Sequence, residues 1–152
     1  MLGSTGSLIS KGVIEGYEFR TLMINGFHVH DITVIGPISL STRIPLYLET
    51  LRDALPPYYF CIVDNIAGFE NTISYDDIRQ LDRILIDHGI RKFFGATITK
   101  DMGYAKIVKL AQANMDEIGL EGMVIEAPDR AAAEAFIFEK LQQAAAERDG
   151  TA

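Results

Sequence analysis

The chain of 152 residues has a single cysteine and lacks any apolar run of the roughly 18 residues that span a bilayer. One cysteine excludes an internal disulfide. Cys61 stands inside the apolar run Tyr-Tyr-Phe-Cys-Ile-Val, which predicts a buried core thiol and not a reactive one. The first residues also lack a basic region followed by a long apolar region, so no signal peptide is predicted. A cytoplasmic protein without membrane insertion is therefore expected.

Positive charge is scarce as well. The 14 Lys and Arg residues are outnumbered by 21 Asp and Glu, which gives a net charge of -7. This balance argues against nucleic-acid binding, because neutralising phosphates requires a surplus of basic side chains. There is also no phosphate-binding glycine loop, and the pair His28 and His30 has no obvious third metal ligand. We therefore expect no cofactor and no metal site.

Strand-like and helix-like apolar patterns alternate from residue 17 onward. Residues 17–24 and 27–35 flank Asn25-Gly26, a strong short signal for a β-hairpin. A helical pattern and three further strand–helix pairs follow, which gives the order β-β-α-β-α-β-α-β-α. This order predicts an α/β domain at 17–143 with a mixed, mostly parallel sheet of about five strands, an N-terminal antiparallel hairpin and four helices. Residues 1–16 are expected to be flexible, and 144–152 to form a disordered tail.

Polar residues follow the predicted strands where they end. In open α/β sheets, ligands bind beyond the carboxyl ends of the strands, so Asp64, Lys100 and Arg130 are candidate ligand-binding residues. The connection at 64–73 is longer than most in compact domains, and long loops are often functional. This loop is the predicted surface for binding a partner protein. The residues of this chain that are candidate contacts are Asn65, Gly68, Phe69, Asn71 and Tyr75.

The stretch at 28–55 resembles the second strand and first helix of STAS domains, the fold of sulfate-transporter domains and of bacterial anti-sigma-factor antagonists such as SpoIIAA. The residues in the family's positions are Gly36, Ile38, Ser41-Thr42, Leu48, Leu51 and Leu55. The resemblance extends over the element order from Tyr17 to Leu141. It implies a non-enzymatic regulatory domain that binds a protein partner, such as a kinase or an anti-sigma factor, through 65–77 and the second helix.

The resemblance also implies phosphorylation of a Ser or Thr at the start of the second helix. Ser74 and Thr72 are the candidate acceptors here, and Asp76 and Asp77 stand where the family has small residues. A phosphate on Ser74 would meet these carboxylates, a repulsion that the helix amides offset only in part. The alternative is that Ser74 serves only as the helix N-cap, accepting from the amide of Asp77.

Two functions from different classes are therefore compared below. The first is the regulatory protein-binding domain. The second is a small-ligand-binding protein or minor enzyme that uses the polar residues at the strand ends. A homodimer formed through the opening hairpin is a further expectation, because an unpaired edge strand invites pairing.

Overall fold

The computed structural model describes the backbone of residues 2–100 and 104–150. Along the chain the elements are α1 (Leu2–Thr5), β1 (Ser7–Ile14), β2 (Tyr17–Ile24), β3 (Phe27–Val34), α2 (Leu40–Leu51), β4 (Tyr58–Asp64), α3 (Tyr75–Asp87), β5 (Lys92–Ile98), α4 (Tyr104–Ile118), β6 (Glu121–Ala127) and α5 (Arg130–Arg148). Within these ranges, no helix is both long enough and apolar enough to cross a membrane.

The strands form one six-stranded sheet in the order β1-β2-β3-β4-β5-β6. The first three strands are antiparallel, and β3 to β6 run parallel. Asn25 and Gly26 have φ angles of 54° and 83°, as a two-residue hairpin turn requires. The predicted fold class is therefore confirmed: a mixed α/β sheet in which an antiparallel hairpin precedes the parallel strands.

The structure differs from expectation at both ends of the chain. The segment at 1–16, expected to be flexible, contains β1, which adds a sixth strand and replaces β2 as the sheet edge. Its side chains are mostly exposed, so its sequence carries no alternating buried pattern, and it is held by pairing with β2. The tail at 144–152 is helical as far as Arg148, because Ala144 is buried in the core.

Helices cover the two faces of the sheet. We call the side covered by α2, α3 and α4 the three-helix face, where Ile32, Tyr59 and Phe93 belong to the core. On the opposite face, Phe60 and Ile62 pack with α5 and with Leu2 of α1. The continuous apolar run of β4 is therefore buried on both faces, as a central parallel strand is.

Candidate functional site

The connection between β4 and α3 begins with a tight turn built around Asn65. This side chain is buried, and its amide nitrogen donates to the carbonyl of Phe69 over 3.0 Å. Its oxygen accepts from the Phe69 amide, also over 3.0 Å, and the Gly68 amide donates to the Asn65 carbonyl. Gly68 has a φ of 82°, a conformation that glycine adopts without strain. Asn65 thus shapes the turn from inside and does not lie on its surface.

The tip of this turn is apolar and faces outward. Ile66, Ala67 and Gly68 are exposed, and 42% of Ile66 is accessible. Phe69 points the other way and packs against the core of the three-helix face. Of the predicted partner contacts in the turn, Gly68 is at the surface and Phe69 is half-buried.

The second half of the connection is anchored to the segment that precedes α2. The Ile38 amide donates to the Glu70 carbonyl over 2.7 Å, and the Thr72 amide donates to the Ile38 carbonyl over 3.0 Å. Ile38 and Asn71 form a parallel bridge, and the Asn71 side chain accepts from the Ile73 amide. These bonds give the connection a defined shape although it contains no regular strand.

Ser74 is exposed and forms the N-cap of α3. Its hydroxyl accepts from the Asp77 amide over 3.2 Å, and the Asp77 carboxylate accepts from the Ser74 amide over 3.0 Å. Ser74 therefore caps α3 as predicted, and these bonds do not test whether it is also phosphorylated. Thr72 is also exposed, and its hydroxyl donates to the Ile38 carbonyl.

Tyr75, the last predicted partner contact, is half-buried and tied to α4. Its hydroxyl donates to Glu117 over 2.9 Å, and this hydrogen bond raises the pKa of Tyr75. The bond connects the start of α3 with the end of α4. A partner at this surface would therefore meet a tyrosine whose ring position is already set.

The strand ends bring two of the three predicted ligand-binding residues together. Arg130 donates to Asp64 over 3.5 Å, and the same nitrogen donates to Asp31 over 3.0 Å. Asp31 is only 6% exposed and also accepts from Arg20 over 2.9 Å. Lys100 is exposed, and no ion pair joins it to this group among the residues that the structure describes.

Sequence reasoning missed Asp31 and Arg20 in this group. A signal for them exists, because the Asn25-Gly26 turn fixes the hairpin register and that register places Arg20 opposite Asp31. An acidic residue inside a central strand needs such a partner, since an unpaired buried charge is costly.

A cavity of about 110 Å³ lies on the three-helix face, between β4, β5 and the helices. Its walls are mainly apolar and include Leu81, Val108 and Met115. Its polar lining includes Arg43 and Tyr47 from α2 and Asp82 from α3. Asn71 and Ile73 of the β4–α3 connection also contribute to the wall.

The two charged residues of the cavity stand in different environments. Burial raises the pKa of Asp82 to about 6, although a 2.6 Å hydrogen bond from Asn114 opposes the shift. Burial alone would lower the pKa of Arg43, but the phenols of Tyr17 and Tyr47 raise it overall. The guanidinium carbon lies 5.3 Å from the centre of the Tyr17 ring. Neither charge stands in a recognisable motif, and their burial depends on elements that are distant in the chain.

His28 and His30 of β3 lie on the three-helix face of the sheet, as the cavity does. His30 is fully buried, its Nδ1 is 2.8 Å from the Thr21 hydroxyl, and burial lowers its pKa to about 3. His28 is hydrogen-bonded through Nδ1 to the Asp53 carbonyl. Across the described ranges, no group of three or more His, Cys, Asp or Glu residues is arranged to hold a metal ion.

No family model matches the chain, and no curated protein matches it. One solved structure is similar with a TM-score of 0.49 and 12% identity, covering 85% of this chain and 98% of the other. It is an uncharacterized protein of the DUF3478 family from Shewanella loihica PV-4, described as having a SpoIIAA-like fold.

Proposed function

We propose that this protein is a non-enzymatic regulatory domain that binds a protein partner through the β4–α3 segment, residues 65–77, together with α3. The observation that carries the proposal is the turn at 65–69. It exposes the apolar side chain of Ile66 on a backbone that Asn65 holds in one conformation. A preformed apolar tip binds well because little conformational entropy is lost when it is covered.

The charge of the segment indicates what kind of partner fits. Glu70, Asp76 and Asp77 lie between residues 65 and 78, and this stretch contains no Lys or Arg. A complementary partner surface would carry basic side chains around an apolar pocket for Ile66. A kinase or an anti-sigma factor, the partner classes that the resemblance implies, remains the leading candidate.

Phosphorylation of Ser74 is the regulatory part of the proposal. A phosphate there would add about two negative charges at a position where the Asp77 carboxylate already lies. It would also occupy the hydroxyl that caps α3. We therefore expect phosphorylation to break the reciprocal hydrogen bonds between Ser74 and Asp77. The segment that the partner contacts would then change its position.

The binding proposal is tested with the full chain and two matched variants. Ile66→Glu places a charge on the tip, and Met123→Glu places the same charge on β6, where 42% of the methionine is exposed. A partner recovered with the wild type and with Met123→Glu, and lost with Ile66→Glu, is then purified and its affinity measured by calorimetry. Finding no protein whose binding depends on Ile66 would contradict the proposal.

The phosphorylation proposal has its own test. The chain is incubated with kinases of its source cell, and its intact mass is compared with those of Ser74→Ala and Thr72→Ala. We expect one added phosphate that Ser74→Ala or Thr72→Ala abolishes. A phosphate at another position, or none, would remove this part and leave the binding proposal standing.

The second function, a small-ligand site at Asp64, Lys100 and Arg130, gains less support from the geometry. Arg130 is already engaged by Asp31 and Asp64, and Lys100 is not joined to them. These ion pairs favour a structural role for Asp64 and Arg130. A thermal shift with a metabolite that Lys100→Ala abolishes would restore this alternative.

A further inference from the structure

The cavity on the three-helix face contains a cationic side chain that has no anionic partner among the described side chains. Arg43 is half-buried as a whole, but its Nε atom is enclosed and has no hydrogen-bond partner. Among the residues with described side chains, no carboxylate lies within ion-pair distance of its guanidinium. Buried charges in proteins are normally paired, because removing a charge from water is costly.

The carboxylate that shares the cavity does not fill this role. Asp82 is held by Asn114 over 2.6 Å and forms no ion pair with Arg43. Tyr17 and Tyr47 stand beside the guanidinium, and neither of them is a carboxylate. Among the described side chains, a ring face, a phenol and apolar walls surround the guanidinium, and no carboxylate is paired with it.

We propose that this cavity binds a small organic anion, a short-chain carboxylate, whose charged group pairs with Arg43 and whose apolar tail lies among Leu81, Val108 and Met115. The cavity shares wall residues such as Asn71 and Leu81 with the proposed partner surface, but the proposal does not rest on partner binding. The guanidinium offers paired N–H donors in the planar geometry that a carboxylate matches. The apolar walls disfavour inorganic anions such as phosphate, whose remaining oxygens would lose their hydration without gaining donors.

The volume limits the ligand to a few atoms. A cavity of ~150 Å³ holds one benzene molecule. The 110 Å³ measured here therefore suits an acid no larger than benzene, and butanoate, which has as many non-hydrogen atoms as benzene, is at that limit.

Binding is tested on the full chain with butanoate as the probe. Butanamide is the neutral control of the same shape, and sodium phosphate and sodium chloride test whether any anion suffices. We expect butanoate to shift the methyl NMR signals of Leu81, Val108 and Met115, while the three controls do not. We also expect butanoate to raise the melting temperature above its value in butanamide or sodium chloride; the comparison with phosphate rests on the NMR signals, because phosphate stabilises folded proteins in general. Equal binding of butanamide or of phosphate would overturn the proposal, as would a crystal structure in butanoate that shows only water in the cavity.

Substitutions in the cavity wall test whether butanoate binds beside Arg43. Loss of a charge-assisted hydrogen bond weakens binding about tenfold or more, so Arg43→Met is expected to have at least that effect on the butanoate affinity. Ala111→Leu fills the cavity from α4, and Ala113→Leu makes the same change at an exposed position of that helix. We expect the first to abolish binding and the second to leave it unchanged. If Arg43→Met does not fold, this pair still decides, because unchanged binding in Ala111→Leu would contradict the assigned site.

Discussion

Replacing Asp82 with Asn is expected to stabilise the protein, and increasingly so as the pH rises. Asp82 is 8% exposed, and burial raises its pKa from 3.8 to about 6. In the unfolded chain the carboxyl loses its proton near pH 3.8, whereas in the folded chain it keeps the proton up to about pH 6. Between these values the unfolded state binds fewer protons, so the free energy of unfolding falls as the pH rises.

The magnitude follows from the displacement of the pKa. Each unit is worth ~1.4 kcal/mol, so the ionised carboxylate costs the folded protein about 3 kcal/mol above pH 6. Asp82→Asn removes this cost, and the introduced carboxamide is able to donate to the Asn114 oxygen that lacks a partner. We expect a stability gain of about 1 kcal/mol at pH 4.5 that grows to about 3 kcal/mol at pH 7.5.

The assay is urea unfolding followed by circular dichroism, for wild type and variant at pH 4.5, 6.0 and 7.5. Comparison at each pH cancels the titration of His30, which both proteins share. Asp87→Asn is the control, because Asp87 is an exposed carboxylate on the same helix. A difference between variant and wild type that stays constant with pH, or a loss of stability at pH 7.5, would refute the assignment of Asp82 as a buried, destabilising acid.

Three further outcomes follow from buried groups. His30 has its pKa lowered to about 3, below the value of 6.5 in the unfolded chain, so its contribution to stability is complete above pH 6.5 and declines as the pH falls towards 3. Its ring NMR signals should stay constant from pH 8 to pH 5, and a titration in that range would contradict its burial. Burial raises the pKa of Cys61 to about 12, so we expect its reaction with a thiol reagent at pH 8 to be at least ~100-fold slower in the native protein than in urea; equal rates would show that the thiol is accessible. Asp31→Asn removes the carboxylate shared by two arginines and should cost about 1–3 kcal/mol in urea unfolding, more than Asp64→Asn, whose contact is longer. A larger loss of stability in Asp64→Asn than in Asp31→Asn would mean that Asp31 is not the centre of this group of ion pairs.

Local signals in the sequence were sufficient for much of the fold. The Asn25-Gly26 turn set the hairpin, the apolar run around Cys61 marked the central strand, and Ser74 with Asp77 marked the start of α3. In each case the residues that determine the structure are neighbours in the chain. β1 was missed because its stability comes from backbone bonds to β2 while its side chains remain mostly in solvent.

The site depends on contacts between distant segments, and these were harder to predict. Arg43 looks like an ordinary residue in the first turn of a helix, and only the packing of α2 on the sheet places it beside the cavity. Asp82 likewise occupies one position of a strongly amphipathic helix, and its burial depends on Asn114, 32 residues later. Asn65 was predicted as a partner contact because it lies in a long loop, and such loops are often functional, whereas its hydrogen bonds turn it inward.

The strand order has a consequence for the way the chain folds. Throughout the described ranges, each strand pairs with the strand next to it in the sequence, so every pairing closes a loop containing at most one helix. The entropic cost of closing each loop is therefore small, and this favours rapid folding for a mostly parallel sheet. During synthesis each new strand is able to add to the edge left by the one before it, and α5 arrives last to cover the apolar face that β4 and β5 have exposed until then.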